Sequence, residues 1–114
     1  MKDRETWDDR YPIIHAPYLH FGVVTTTVPY AAGEDSGNCV ILVNGAVTVT
    51  LPLAANNKGT AFFIKNIGVG AVTIARSGSD LIDGGTGASL PDQYDVMLLV
   101  SDGTGWWILS SSDL

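Results

Sequence analysis

Cysteine, positive charge and long apolar runs are what this 114-residue chain has least of, with one Cys and six Lys+Arg in all. A single thiol, Cys39, closes no intrachain disulfide and has no second sulfur for a zinc or redox pair, so cysteine usage leaves the compartment open. Six cations stand against 12 Asp+Glu, a formal charge of −6 and a pI near 4.4, and no basic run occurs. A nucleic-acid grip needs clustered cations to displace counterions, so no nucleic-acid partner is expected. No stretch approaches the roughly 20 apolar residues of a spanning helix, and the first ten residues are charged, without the apolar segment of a secretory signal. We therefore expect no membrane partner and a protein soluble when made.

Charge of either sign is scarce at 16%, against roughly 25% in an average globular chain. With 46% hydrophobic residues, that composition belongs to a folded chain and excludes disorder throughout. The length suits one small domain with a tail, since domains need on the order of 100 residues to close a core. Helical periodicity is also missing; only 53–58, ended by Gly59, has the makings of a single turn.

Three segments emerge. Residues 1–20 hold both histidines and one of the three tryptophans, with four carboxylates and three cations among the first ten. Pro12 and Pro17 break any period there, and the segment reads as an extended arm. From 21 to 110 short β-branched runs alternate with Gly, Asn, Asp and Pro about every ten residues, the pattern of a small antiparallel β-sandwich or barrel-like domain. Residues 111–114 are a tail.

Within the β-domain, strands are expected at 21–28, 39–43, 46–51, 60–66, 71–76, 94–101 and 106–110. Asn44-Gly45 carries the strongest short hairpin signal, so 39–43 and 46–51 are expected to pair across a type I′ turn. Val47, Val49 and Leu51 alternate with Thr48 and Thr50, giving that return strand one buried and one wet face. The 96–100 run is apolar on both faces, as in strands covered from two sides, and a domain this small has edges to protect. Homo-oligomerisation is the expectation.

Candidate chemistry is sparse. His15 and His20, five apart in an extended segment, do not share a face, so a contact role is preferred to a metal site. Cys39 opens a strand with no base beside it, the setting of a buried, inert thiol. Asp80 and Asp83 beside glycines lack calcium-loop spacing and read as a tight turn with Asx hydrogen bonds. Glycine clusters at 68–70 and 84–87 precede no helix, so neither is a phosphate loop. The serines at 110–112 have no base partner, and no carboxylate pair is singled out for glycoside cleavage. We expect no enzyme, no cofactor and no metal.

Aromatics are the informative residues. Trp106 and Trp107 are adjacent on a strand, so one indole should enter the core and the other should lie at an interface or meet a glycan. Trp7, Tyr11, Tyr18 and Phe21 stud the leader, and rings of this kind are enriched at interface centres. Together with His15 and His20 they form an expected partner-binding set.

The stretch VTVTLPLAANNKGT at 47–60, followed by FIKNIG at 63–68, VTI at 72–74, GSDLIDG at 78–84 and LVSDGTGW at 99–106, resembles a β-module recurrent in virion proteins of tailed bacteriophages. The resemblance covers about residues 38–110 and consists of turn and core positions. It implies a small β-rich unit, commonly trimeric, carried by tail fibres, head fibres or head decorations. The arm lies outside it. A short arm with a compact knob suits a protein that plugs onto a shell better than a long-shafted fibre. The expectation is a capsid decoration or cement protein on the virion surface, made in the host bacterial cytoplasm, with further copies of itself and the major capsid protein as partners. The alternative is a tail-fibre or receptor-binding tip protein that recognises host surface glycans through Trp106 or Trp107 and the 77–88 loop.

Overall fold

The computed structural model describes residues 21–33 and 38–112. Among these residues nine strands follow in order: β1 Gly22–Thr26, β2 Tyr30–Ala31, β3 Cys39–Val43, β4 Thr48–Thr50, β5 Ala61–Asn66, β6 Val72–Ala75, β7 Gly87–Leu90, β8 Val96–Ser101 and β9 Trp106–Ser111. A single 3₁₀ turn, Ala54–Asn56, interrupts them where one turn is expected from the sequence. No helix among the described residues is long and apolar enough to cross a membrane.

The all-β class holds, in two sheets. One is five-stranded, ordered β9-β8-β5-β3-β1, and the other is four-stranded, ordered β2-β4-β6-β7. Both are mixed, where an antiparallel arrangement is expected from the sequence. The pairs β1/β3, β3/β5, β2/β4 and β4/β6 are parallel. The pairs β5/β8, β8/β9 and β6/β7 are antiparallel. From β1 to β6 the chain alternates sheets at every step, so each odd–even pair forms one rung and three rungs stack in register, as in a short β-solenoid.

This connectivity corrects the Asn44-Gly45 hairpin. β3 and β4 lie in different sheets, and the dipeptide turns a corner between them. A type I′ turn needs positive φ at both central residues. Here only Gly45 has it, at φ 142°, and the Asn44 amide instead donates to the Thr26 carbonyl of the preceding rung at 2.9 Å. The next corner stacks on this one: a Cβ on Gly70 would come within 2.8 Å of the Ala46 Cβ and 2.9 Å of its nitrogen. Close stacking of corners, which glycine permits, carries the chain across to the second sheet.

Alternation along the strands builds the core. Cys39, Ile41 and Val43 on β3, Phe62 and Ile64 on β5, and Met97 and Leu99 on β8 point inward. Val49, Val72, Ile74 and Leu90 meet them from the other sheet. Two strands escape sequence reading. β2 has only two residues, and β7 falls in and beyond the glycine-rich excursion at 77–88.

Buried polar groups are satisfied by side chains that bind backbone across the layers. Asn66, fully buried, donates through Nδ2 to the Gly70 carbonyl at 2.7 Å and the Leu90 carbonyl at 3.0 Å. Its Oδ1 accepts from the Gly68 amide at 3.0 Å. The irregular 51–57 segment is held the same way: Ser77 Oγ donates to the Leu51 carbonyl, Ser101 Oγ to the Ala54 carbonyl, and the Ala54 amide to Asp80. Asp80 thus binds backbone, and Asp83, at φ 51°, sits in the tight 82–85 turn expected from the sequence.

Candidate functional site

The two sheets differ on their outer faces. On the four-stranded sheet, Thr48, Thr73 and Ser89 lie side by side in register, a polar row suited to water. On the five-stranded sheet the corresponding row is Val23, Val40, Phe63 and Leu98, apolar across four strands. Leu42 and Val96 flank it on one side, Ala61 and Val100 on the other. Val23 is 65% exposed, and Val40, Phe63 and Leu98 are half-buried.

The outward positions of β1, β3, β5 and β8 include one charge, Lys65. It stands between Leu42 and Val96 in the flanking row, and its ammonium reaches the Tyr94 carbonyl at 3.4 Å and lies 5.9 Å from the Tyr94 ring centroid. Strand spacing near 4.8 Å and a rise near 3.3 Å per residue make this face roughly 400 Å² in plan. Apolar patches of about that size are among the largest on monomers and often functional.

Phe21 lies against this face. Its ring meets Phe63 edge-on, centroids 5.4 Å apart at 71°, so this member of the expected partner-binding set packs on the body's own sheet. Trp7, Tyr11, His15, Tyr18 and His20, with the expected arm at 1–20, lie outside the described residues.

The tryptophan pair divides as strand alternation requires. Trp106 is 1% exposed, stacks at a tilt on Phe62 with centroids 5.5 Å apart, and donates from Nε1 to the Pro52 carbonyl at 3.1 Å. Core packing leaves almost none of this residue accessible. Trp107 is 48% exposed at the β9 edge, next to Val100 on the outer face.

Its orientation is fixed by the β8–β9 turn. Asp102 Oδ1 accepts from the Thr104 amide and hydroxyl, both at 2.8 Å, and from the Gly105 amide at 2.9 Å, while Oδ2 accepts from Trp107 Nε1 at 2.8 Å. The Trp107 indole first, then the Thr104 and Gly105 donors, hold this carboxyl well below the usual carboxylate range, because each bond favours the charged form. Asp102 is the residue that sequence reading missed. Its signal is the Asp-Gly-Thr-Gly turn followed, five residues after the aspartate, by an aromatic.

The 80–85 loop covers the free edge of β9. Trp106 N–H donates to the Leu81 carbonyl at 2.8 Å, Asp83 N–H to the Trp106 carbonyl at 3.0 Å, and Ile108 N–H to Asp83 Oδ1 at 2.8 Å. Between this loop and the turn lies a cleft of about 270 Å³ lined by Ser79, Leu81, Gly84, Thr104, Gly105 and the tryptophan pair. Cys39 is far less accessible, buried on β3, where burial pushes its thiol pKa up and away from nucleophilic chemistry. No known protein family matches the chain, and no curated protein does either.

Proposed function

We propose that the chain is a structural protein of a tailed-bacteriophage virion: a capsid decoration or cement protein whose β-domains associate as a trimer while residues 1–20 bind the major capsid protein. The observation that carries this reading is the contrast between the outer faces, one Thr- and Ser-lined, the other apolar along Val23, Val40, Phe63 and Leu98. Water covers the first; the second is the kind of surface that further copies cover. Burying about 400 Å² per copy contributes roughly 10 kcal/mol gross at ~25 cal/mol/Å². Two copies that meet through it bury twice that area, roughly 20 kcal/mol gross against an association cost of about 4–15 kcal/mol, which leaves enough for association at micromolar concentration. Linked attachment of several arms to one shell would raise the effective concentration of the copies and strengthen the assembly.

Sedimentation of the full chain at micromolar concentration tests the association, with a trimer expected for the parent. Leu98→Glu places a charge in the apolar row and should yield a monomer with an unchanged circular dichroism spectrum. A parent that sediments as a monomer overturns the assembly. A chain beginning at Phe21 should remain oligomeric yet fail to co-sediment with particles, and retained attachment refutes the arm's role. Exposed Trp107 favours a second reading, a tail-fibre or receptor-binding tip protein that recognises host glycans; electron microscopy of intact particles distinguishes head from tail.

A further inference from the structure

Trp107 stands on β9, at the opposite edge of the sheet from β1, where it borders Val100 at the margin of the apolar face and lies outside the row from Val23 to Leu98. An exposed indole is ordinarily free to rotate. This one is locked, because its only polar atom is bound to a carboxylate that three other donors hold in place. The ring therefore presents a face of fixed orientation, and a ligand that stacks on it orders nothing further. Leu81, also exposed, lines the cleft with it, as do the exposed Ser79 and Thr104; the Thr104 hydroxyl donates to Asp102 and keeps its lone pairs for an incoming donor.

From this geometry we infer that the Trp107 cleft is a binding site for one neutral pyranose ring, the apolar C–H face of the sugar lying on the indole and its hydroxyls meeting Ser79 and Thr104. This narrows the glycan reading of Trp107 given above to one neutral ring and rests on that reading. At about 270 Å³ the cleft is just below the ~300 Å³ of the smallest ordinary ligand pockets, so it admits one ring.

Charge selects among ring ligands. Among the described residues no Lys or Arg lines the cleft, and Asp102 bonds to the indole edge, so nothing there offsets the negative charge of an acidic sugar or a nucleotide. A quaternary ammonium is disfavoured for a different reason: such cations are held by several aromatic faces, whereas this cleft has one exposed ring and a carboxylate already occupied by four donors.

Saturation-transfer NMR on the full chain tests the assignment, with N-acetylglucosamine, methyl β-galactopyranoside, N-acetylneuraminic acid and choline as probes. Transfer to at least one of the neutral sugars is expected, with dissociation constants in the millimolar range of single-ring ligands. Trp107→Ala should weaken binding at least tenfold and Trp107→Phe only a few-fold. Ser79→Tyr, which fills the cleft and leaves Trp107 and Asp102 in the sequence, should abolish it, and provides the readout if Trp107→Ala fails to fold. Val69→Ala, on a distant exposed turn, should bind like the parent. Absence of transfer to both neutral sugars, a preference for N-acetylneuraminic acid or choline, or unchanged binding in folded Trp107→Ala and Ser79→Tyr would each overturn the inference. None of these outcomes bears on sedimentation, so the trimer reading stands or falls separately.

Discussion

Asn66 offers the sharpest test of how the two sheets are joined. It ends β5 in the five-stranded sheet, and its amide group makes three hydrogen bonds: to the Gly70 carbonyl in the following corner, to the Leu90 carbonyl at the end of β7 in the other sheet, and from the Gly68 amide. The side chain is fully buried, as are Gly68 and Leu90. Replacing it with alanine removes one donor group and one acceptor and leaves two carbonyls and an N–H facing a cavity. Each abandoned buried polar group costs about 1–3 kcal/mol. If water entering the vacated space recovers part of that, a loss of about 4 kcal/mol remains, a large share of the 5–15 kcal/mol that holds a small domain folded.

Urea denaturation at pH 7, followed by tryptophan fluorescence and circular dichroism, measures this loss. A thermal midpoint lower by ~16–32 °C should accompany it, at about 4–8 °C per kcal/mol for a body of this size. Asn66→Asp is the more discriminating variant. A carboxylate there keeps the Gly68 contact but faces the Gly70 and Leu90 carbonyls with no proton to donate. Its folded-state pKa must therefore rise above the unfolded value, so the damage is largest at neutral pH and shrinks as pH falls and the acid gains a proton. An Asn66→Ala loss below 1 kcal/mol, or an Asn66→Asp variant that is least stable in acid, would refute the claim that this amide ties the layers together.

Gly70→Ala should destabilise by about 1–3 kcal/mol, the range for forcing atoms into a packed site, since the new methyl meets the Ala46 backbone; a neutral result in urea denaturation would mean that the corners do not stack. The depressed Asp102 carboxyl predicts that the Trp107 indole N–H resonance stays in place as pH falls from 7 to 3. Because its folded-state pKa lies below the unfolded value of about 3.9, the contribution of this contact is present above that value and is lost only as pH falls through the folded one. A midpoint near the ordinary aspartate value in that titration would show the carboxylate to be unbound in solution.

What could be read from the sequence, and what could not, separates along one physical line. Local signals placed strands β1, β3, β4, β5, β6, β8 and β9 within a few residues, because period-2 alternation and turn residues are properties of neighbours in sequence. The opposite facing of Trp106 and Trp107 belongs to the same class. Parallel pairing joins residues 17 to 25 positions apart, such as Gly22 with Cys39 and Val49 with Ile74, and nothing local encodes it. Asn44-Gly45 shows the consequence: the dipeptide permits a hairpin, but the rung above it supplies the Asn44 partner and the rung below stacks glycines against the corner, so tertiary contacts decide.

Sheet membership is thus the missing quantity, and it also hides the candidate interface. Val23, Val40, Phe63 and Leu98 are 17, 23 and 35 residues apart and form a row only because β1, β3, β5 and β8 share a sheet. The two-faced 96–100 run was its sole local trace: an outward Leu98 is unremarkable by itself, and becomes a surface once three other strands present apolar residues beside it. The polar outer row of the second sheet sharpens the point, since the same alternation yields Thr48, Thr73 and Ser89 there. One outer face of this fold tolerates a polar row, so the contrast between the two rows, with Phe21 already packed on Phe63 in the apolar one, is the observation on which the proposed association rests.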